Sequence, residues 1–188
     1  MLTRRENVSL RSVVAGTGES TMAVYTYFGG MAGLLGAVRQ EGFGRLATRL
    51  ATLQITDDAV ADIAAAGAAY TAVARQTPEL YTVMFDGSLP LPDAQAADAT
   101  LESFVGVVRR AVDSGRFDAD LDAARFANEV WMLGHGACML LVNGVMPFAQ
   151  IEPIVTSGLV HLYEAAGDER ELASRSVAAG WARGLGGT

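Results

Sequence analysis

His135 and Cys138 lie three residues apart, a spacing that puts an imidazole and a thiol on one face of a helix. Such a pair can act as an activated thiolate or as half of a metal site. A metal site needs more than two ligands, and the other histidine, His161, falls on a different helical segment. The chain has no phosphate-binding glycine loop, no Gly-x-Ser-x-Gly and no His-Glu-x-x-His. The expectation is a protein without a catalytic site, metal or cofactor. Cys138 then reads as a small apolar core residue. As the single cysteine it rules out an internal disulfide and fits a reducing, cytoplasmic compartment.

A second constellation offers hydrogen bonds and apolar contacts rather than catalysis. Residues 20–28 read Ser-Thr-Met-Ala-Val-Tyr-Thr-Tyr-Phe and follow Ser-Leu-Arg-Ser-Val-Val-Ala-Gly-Thr-Gly over 9–18. Two short helical patterns parted by a glycine form a helix-turn-helix when the second helix enters a DNA groove. Ser9 at a helix N-terminus and Arg11 one turn in suit backbone phosphates. Ser20, Thr21 and Met22 fall on the first turn of the second helix, where base edges are met, and Thr21 and Met22 suit thymine methyls. Tyr25, Thr26 and Tyr27 bring hydroxyls for phosphates, or in the case of Tyr27 a ring to pack inward.

The elements that must hold these residues are all helical. Ser9 caps a helix over about Leu10 to Thr17, Gly18 ends it, and Ser20 or Thr21 caps the next, which Gly29-Gly30 breaks. A long helix from about Met31 to Leu50 joins head to body. Asp57-Asp58 opens a helix to about Gln76, and Pro78 starts a short one through Phe85. Further helices run from Asp93 to about Gly115, from about Asp118–Asp122 to Asn143-Gly144, and over roughly Gln150 to Ala166. The tail from Gly167 mixes charges and ends in glycines, and is expected to fray. No strand pattern or internal repeat is visible. The domains expected are a head over 1–49 and a body over 50–188.

Charge separates the same two parts. The net charge is −7, which by itself opposes binding to a polyanion. Residues 1–49, however, hold six arginines against three acids, a net of +3, and the remaining eight arginines and 18 acids net −10. A mildly basic head on an acidic body points one end at DNA. No apolar h-region follows Arg4 and Arg5, so no signal peptide is expected. The most apolar stretch, Val130 to Phe148, is interrupted by His135, Asn143, three glycines and Pro147, which argues for a buried or interface helix and against a membrane span.

The stretch Ser9 to Val38 resembles the DNA-binding segment of the TetR family of bacterial transcriptional repressors. The resemblance rests on Ser9, Gly18, Ser20, Val24-Tyr25, Tyr27-Phe28 and Leu34-Leu35, in order and at the family's spacing. It departs at Glu19, where the family has an apolar turn residue, at Met31, where it often has a basic one, and at Thr17, usually Ala. Eight residues precede Ser9, too few for the family's first helix, so that helix is expected to be absent or truncated, leaving Val13, Val24 and Phe28 without cover. Trp131-Met-Leu-Gly-His135-Gly136 resembles the Trp…His-Gly signature of one class of TetR-like C-terminal domains.

The resemblance implies a homodimer on a palindromic double-stranded operator, with a small apolar ligand among the body helices. Dimerisation would use the helices at about 120–143 and 150–166. There Gly134, Gly136, Ala137 and Gly144 allow close approach, and Leu140, Leu141, Ile154, Val155, Leu159 and Leu162 supply apolar area. Tyr81, Met84, Phe85, Phe104, Trp131, His135 and Met139 are the candidate pocket residues, since aromatics and methionines with one or two polar groups suit such a ligand. The alternative is a TetR-like dimer that binds ligand or protein and has lost DNA binding.

Overall fold

The computed structural model describes residues 9–93 and 95–186, the side chains of 95–97 excepted. Arg4, Arg5 and whatever precedes Ser9 lie outside the described residues. Within them, all regular structure is helical, and nine helices follow one another along the chain.

Helix α1, Leu10–Val14, starts at a reciprocal cap: the Ser9 hydroxyl accepts from the Ser12 N–H at 3.1 Å, and the Ser12 hydroxyl accepts from the Ser9 N–H at 3.0 Å. It ends short of Thr17 because Gly16 and Gly18 take φ values of 83° and 80°, outside helical space. Helix α2, Thr21–Phe28, is capped by Ser20, whose hydroxyl accepts from the Ala23 N–H at 3.1 Å. Gly29, left-handed at φ 71°, ends it, and α3, Met31–Ala51, leaves at a sharp corner. A methyl at Gly33 would collide with the Phe28 carbonyl, so this corner requires glycine.

The body consists of α4 (Ala59–Gln76), α5 (Pro78–Met84), α6 (Gln95–Asp113), α7 (Ala123–Val142), α8 (Phe148–Ala165) and α9 (Arg170–Gly186). Helix α4 is rich in alanine, buried over most of its circumference, and packs against five other helices. A helix apolar all round belongs inside a domain. The core around it includes Val60, Ile63, Val108, Phe117, Phe126, Tyr163 and Trp181.

The expectation that the tail frays does not hold for its described residues, up to Gly186. Residues 170–186 form α9, which lies against α4 along much of its length and buries Ala173, Ser176, Val177, Gly180, Trp181 and Gly184. The approach is close enough that a methyl at Gly180 would overlap the Ala61 carbonyl, and one at Gly184 the Ala65 carbonyl. Its start is fixed by Arg116, which pairs with buried Asp168 through two bonds of 2.8 and 2.7 Å and also reaches Ser176.

A second small cluster, Phe43, Leu46 and Met84, joins α3 to α5. Arg39 reinforces it by donating to the carbonyls of Met84 at 2.8 Å and Leu89 at 2.7 Å. No single helix among the described residues is long and apolar enough to cross a membrane.

Candidate functional site

Three places in this fold hold the residues singled out by type and spacing. The first is the exposed side of the head. Helix α2 is anchored by Val24, which is 6% exposed, while Met22, Tyr25 and Tyr27 are 68%, 56% and 77% exposed. Ser9, Arg11, Ser20 and Thr26 are exposed as well, and Thr21 is half-buried. The cap fixes the orientation of Ser20 and leaves its hydroxyl proton available. Thr26 differs from expectation: its hydroxyl donates to the Met22 carbonyl at 2.9 Å, so it must rotate before it can donate to a phosphate. The Tyr25 ring lies beside Gly30 at the α2–α3 corner. Val13 is half-buried and Phe28 is 40% exposed, so the predicted lack of cover holds for Phe28 but not for Val24.

The second place is an aromatic and histidine cluster between α4, α5 and α7. The Tyr81 hydroxyl lies 2.8 Å from His135 Nδ1 and 2.7 Å from the Tyr70 hydroxyl, which is itself 3.1 Å from Nδ1. A chain in which Tyr70 donates to Tyr81 and Tyr81 to Nδ1 satisfies all three groups with a neutral imidazole. Burial lowers the His135 pKa below its ordinary value and raises those of both tyrosines. Phe85 packs edge-on to the imidazole at 4.5 Å between centroids, and Trp131 stacks on it at 5.2 Å. Tyr81, Phe85, Trp131 and His135 are thus brought together, with Met139 packed nearby. Tyr70, not singled out in advance, completes the cluster.

Two predicted pocket residues lie elsewhere. Met84 turns to α3, where a methyl on Gly42 would strike its side chain. Phe104 packs on the main core and borders a different cavity. Cys138 is fully buried, with its thiol 3.8 Å from the Thr71 hydroxyl and its pKa pushed up to about 11 by burial, so it is not a ready nucleophile. Among the described residues no three His, Cys, Asp or Glu side chains are grouped to hold a metal ion.

The third place is the cavity that Phe104 borders, about 430 Å³ between α3, α4, α6 and α9. Leu50, Leu53, Ile55, Phe104 and Val107 are the larger apolar residues of its wall, and Asp62, Arg110 and Arg183 line one part of it. Burial would raise the Asp62 pKa, but bonds from the Thr56 N–H and hydroxyl and from Arg110, with the charge of Arg183, hold it below the ordinary 3.8. Sequence reasoning missed this triad. The one local signal was an acid inside the apolar helix α4, a position that demands buried partners.

A family model described as tetracyclin repressor-like, C-terminal domain matches residues 63–162, just over half of the chain. The chain belongs to the TetR family. No curated protein and no solved structure matches it. The TetR-like match runs from α4 into α8 and takes in Trp131 and His135.

Within this TetR-like segment, α7 and α8 leave Trp131, Met132, Leu140 and Ile154 exposed, and Val145 is exposed on the turn between them. A side-chain carbon added at Gly134 or Gly136 would meet no neighbour within 4 Å. Val155 and Leu159, expected to supply interface area, instead face the core at 4% and 2% exposure.

Proposed function

We propose that the chain is a transcriptional regulator of the TetR family, in its simplest form a repressor. As a homodimer it binds a palindromic operator, and a small ligand in the body releases it. The observation that carries this reading is the outward face of α2. It offers Met22, Tyr25 and Tyr27 to solvent around a properly capped helix start. Large side chains left out of a core on a capped helix are suited to cover by a partner, and Ser, Thr and Tyr hydroxyls match phosphates and base edges.

The dimer reading is supported by the exposed apolar side chains of α7 and α8 and by the open approach over Gly134 and Gly136. Two such subunits present two heads, as a palindrome demands. Coupling has a physical route through α3. Its Arg39 and Gly42 engage α5, its Leu50 walls the cavity, and its Arg49 donates to the Gly184 carbonyl of α9 at 2.8 Å. A ligand that binds the released arrangement more tightly shifts the heads away from successive grooves.

Glu19, exposed in the turn before α2, favours the second reading, a dimeric ligand-binding module without DNA activity. A gel shift against the DNA flanking the gene separates the two. Salt-sensitive binding of a palindrome, weakened at least about tenfold by Tyr25→Ala, supports the regulator. Absence of binding to every flanking fragment supports the module.

A further inference from the structure

The α3–α4–α6–α9 cavity is lined mainly by apolar residues, with Gln54, Thr100 and Ser103 as neutral polar ones, and Asp62, Arg110 and Arg183 are the charged groups lining it. They carry two positive charges and one negative. Asp62 is saturated: Oδ1 accepts from the Thr56 hydroxyl and Arg183 Nη2, and Oδ2 from the Thr56 N–H and Arg110 Nη1. Arg110 is committed at both ends, since its Nη2 donates to the Thr56 carbonyl. Arg183 is not. Its Nε is buried and has no hydrogen-bond partner among the described residues. A buried guanidinium N–H without an acceptor is costly, and such a group calls for an explanation.

We propose that this cavity binds a small organic acid, an apolar chain or ring bearing one carboxylate, with the carboxylate seated on Arg183 and its apolar part against Leu50, Phe104 and Val107. The inference rests on the reading of the body as ligand-responsive and names the chemical class of that ligand. A carboxylate matches the planar donor edge of a guanidinium, and it supplies the missing acceptor once the partly exposed Arg183 side chain turns its Nε, closed to water in this arrangement, toward the cavity. It also balances the one positive charge that Asp62 leaves over. A neutral apolar molecule fills the same volume but leaves Arg183 Nε unmet, and a cation is repelled. The volume of about 430 Å³ falls within the range of small-molecule sites. Seating at Arg183 acts next to the Gly184 carbonyl that Arg49 of α3 holds, so the acid end of the ligand touches the connection to the head.

Calorimetric titration of the full chain with octanoate, octan-1-ol and octylammonium tests this. Octanoate is expected to bind about tenfold or more tightly than the alcohol, in line with one charge-assisted hydrogen-bonded pair, and the ammonium not at all. Arg183→Gln should erase the preference for the acid while leaving alcohol binding in place. Ala66→Leu adds bulk to the cavity wall while keeping both arginines and should abolish binding of the acid and of the alcohol. Equal binding of acid and alcohol by the unmodified chain overturns the acid assignment and leaves a ligand cavity standing; it needs no variant to fold. Octanoate binding that survives Ala66→Leu puts the site elsewhere and overturns the proposal, as does failure of all three probes to bind. The gel shift reports on DNA reading independently of each of these outcomes.

Discussion

Helix α2 buries Val24 and leaves Met22, Tyr25 and Tyr27 in solvent, whereas α9 buries Ala173, Ser176, Val177, Gly180, Trp181 and Gly184. The first is a helix held by one anchor so that its other side chains stay free. The second is a helix of small residues pressed onto the backbone of α4. The sequence presents the first as a short helix broken by Gly29-Gly30 and the second as a mixed-charge tail ending in glycines. What separates them is what lies opposite. The contrast sets a close-packed α4–α9 pairing against a head that offers surface.

Substitution at the tightest contact should have the largest effect. Gly180→Val forces branched carbons into the Ala61 carbonyl and should cost about 3 kcal/mol, roughly 6–12 °C in melting temperature by circular dichroism. An unchanged melting temperature would remove α9 from the core. Next comes Asp62→Asn, which breaks two ion pairs to arginines that keep some solvent contact. About 2 kcal/mol is expected, below the roughly 3–5 of a fully enclosed pair. Because the folded-state pKa of Asp62 lies below 3.8, its contribution is complete above that pH and is lost as the pH falls through the depressed value. Acid titration of the unmodified chain and of Asp62→Asn should therefore converge at low pH; parallel curves would deny the carboxylate this role.

His135 gives a smaller effect of known sign. Its folded-state pKa lies below 6.5, so the unfolded chain takes up the proton first and stability declines as the pH drops from neutrality through 6.5. His135→Gln should flatten that decline in urea titrations at successive pH values. The smallest stability change belongs to the head. Tyr25→Ala should move unfolding by no more than about 0.5 kcal/mol, because the ring is 56% exposed, while lowering operator affinity in the gel shift. A large loss of stability there would make α2 as structural as α9 and dissolve the contrast.

The helices with caps were legible in the sequence. Ser9, Ser20, Asp58 and Asp122 each accept from backbone N–H groups at helix starts, and glycine or proline marks the breaks between them. Helix α9 was misread because, Val177 and Trp181 apart, its buried face is glycine, alanine and serine, whose value lies in permitting close approach rather than in apolar area. Tyr81, Phe85, Trp131 and His135 could be gathered by residue type. Met84 could not be assigned, since the side of α5 it occupies is decided by Gly42 on another helix. The arginine and aspartate lining was invisible for a plainer reason. Arg110 is 48 residues from Asp62 and Arg183 is 121, and no local pattern encodes pairs so distant.

The separation of 121 residues between Asp62 and Arg183 has a consequence during synthesis. Ribosomes add about 5–20 residues per second, so α4 emerges roughly 6–24 s before the helix that covers it. Through that interval its alanine flank lacks the contact with α9, and the cavity lacks one of its two arginines. Helix α2 is made before α4, and α9 after it. Nascent chains stalled before Gly180 should accordingly be cut within α4 by a protease that spares the finished protein, and the cavity should be complete only once α9 has closed.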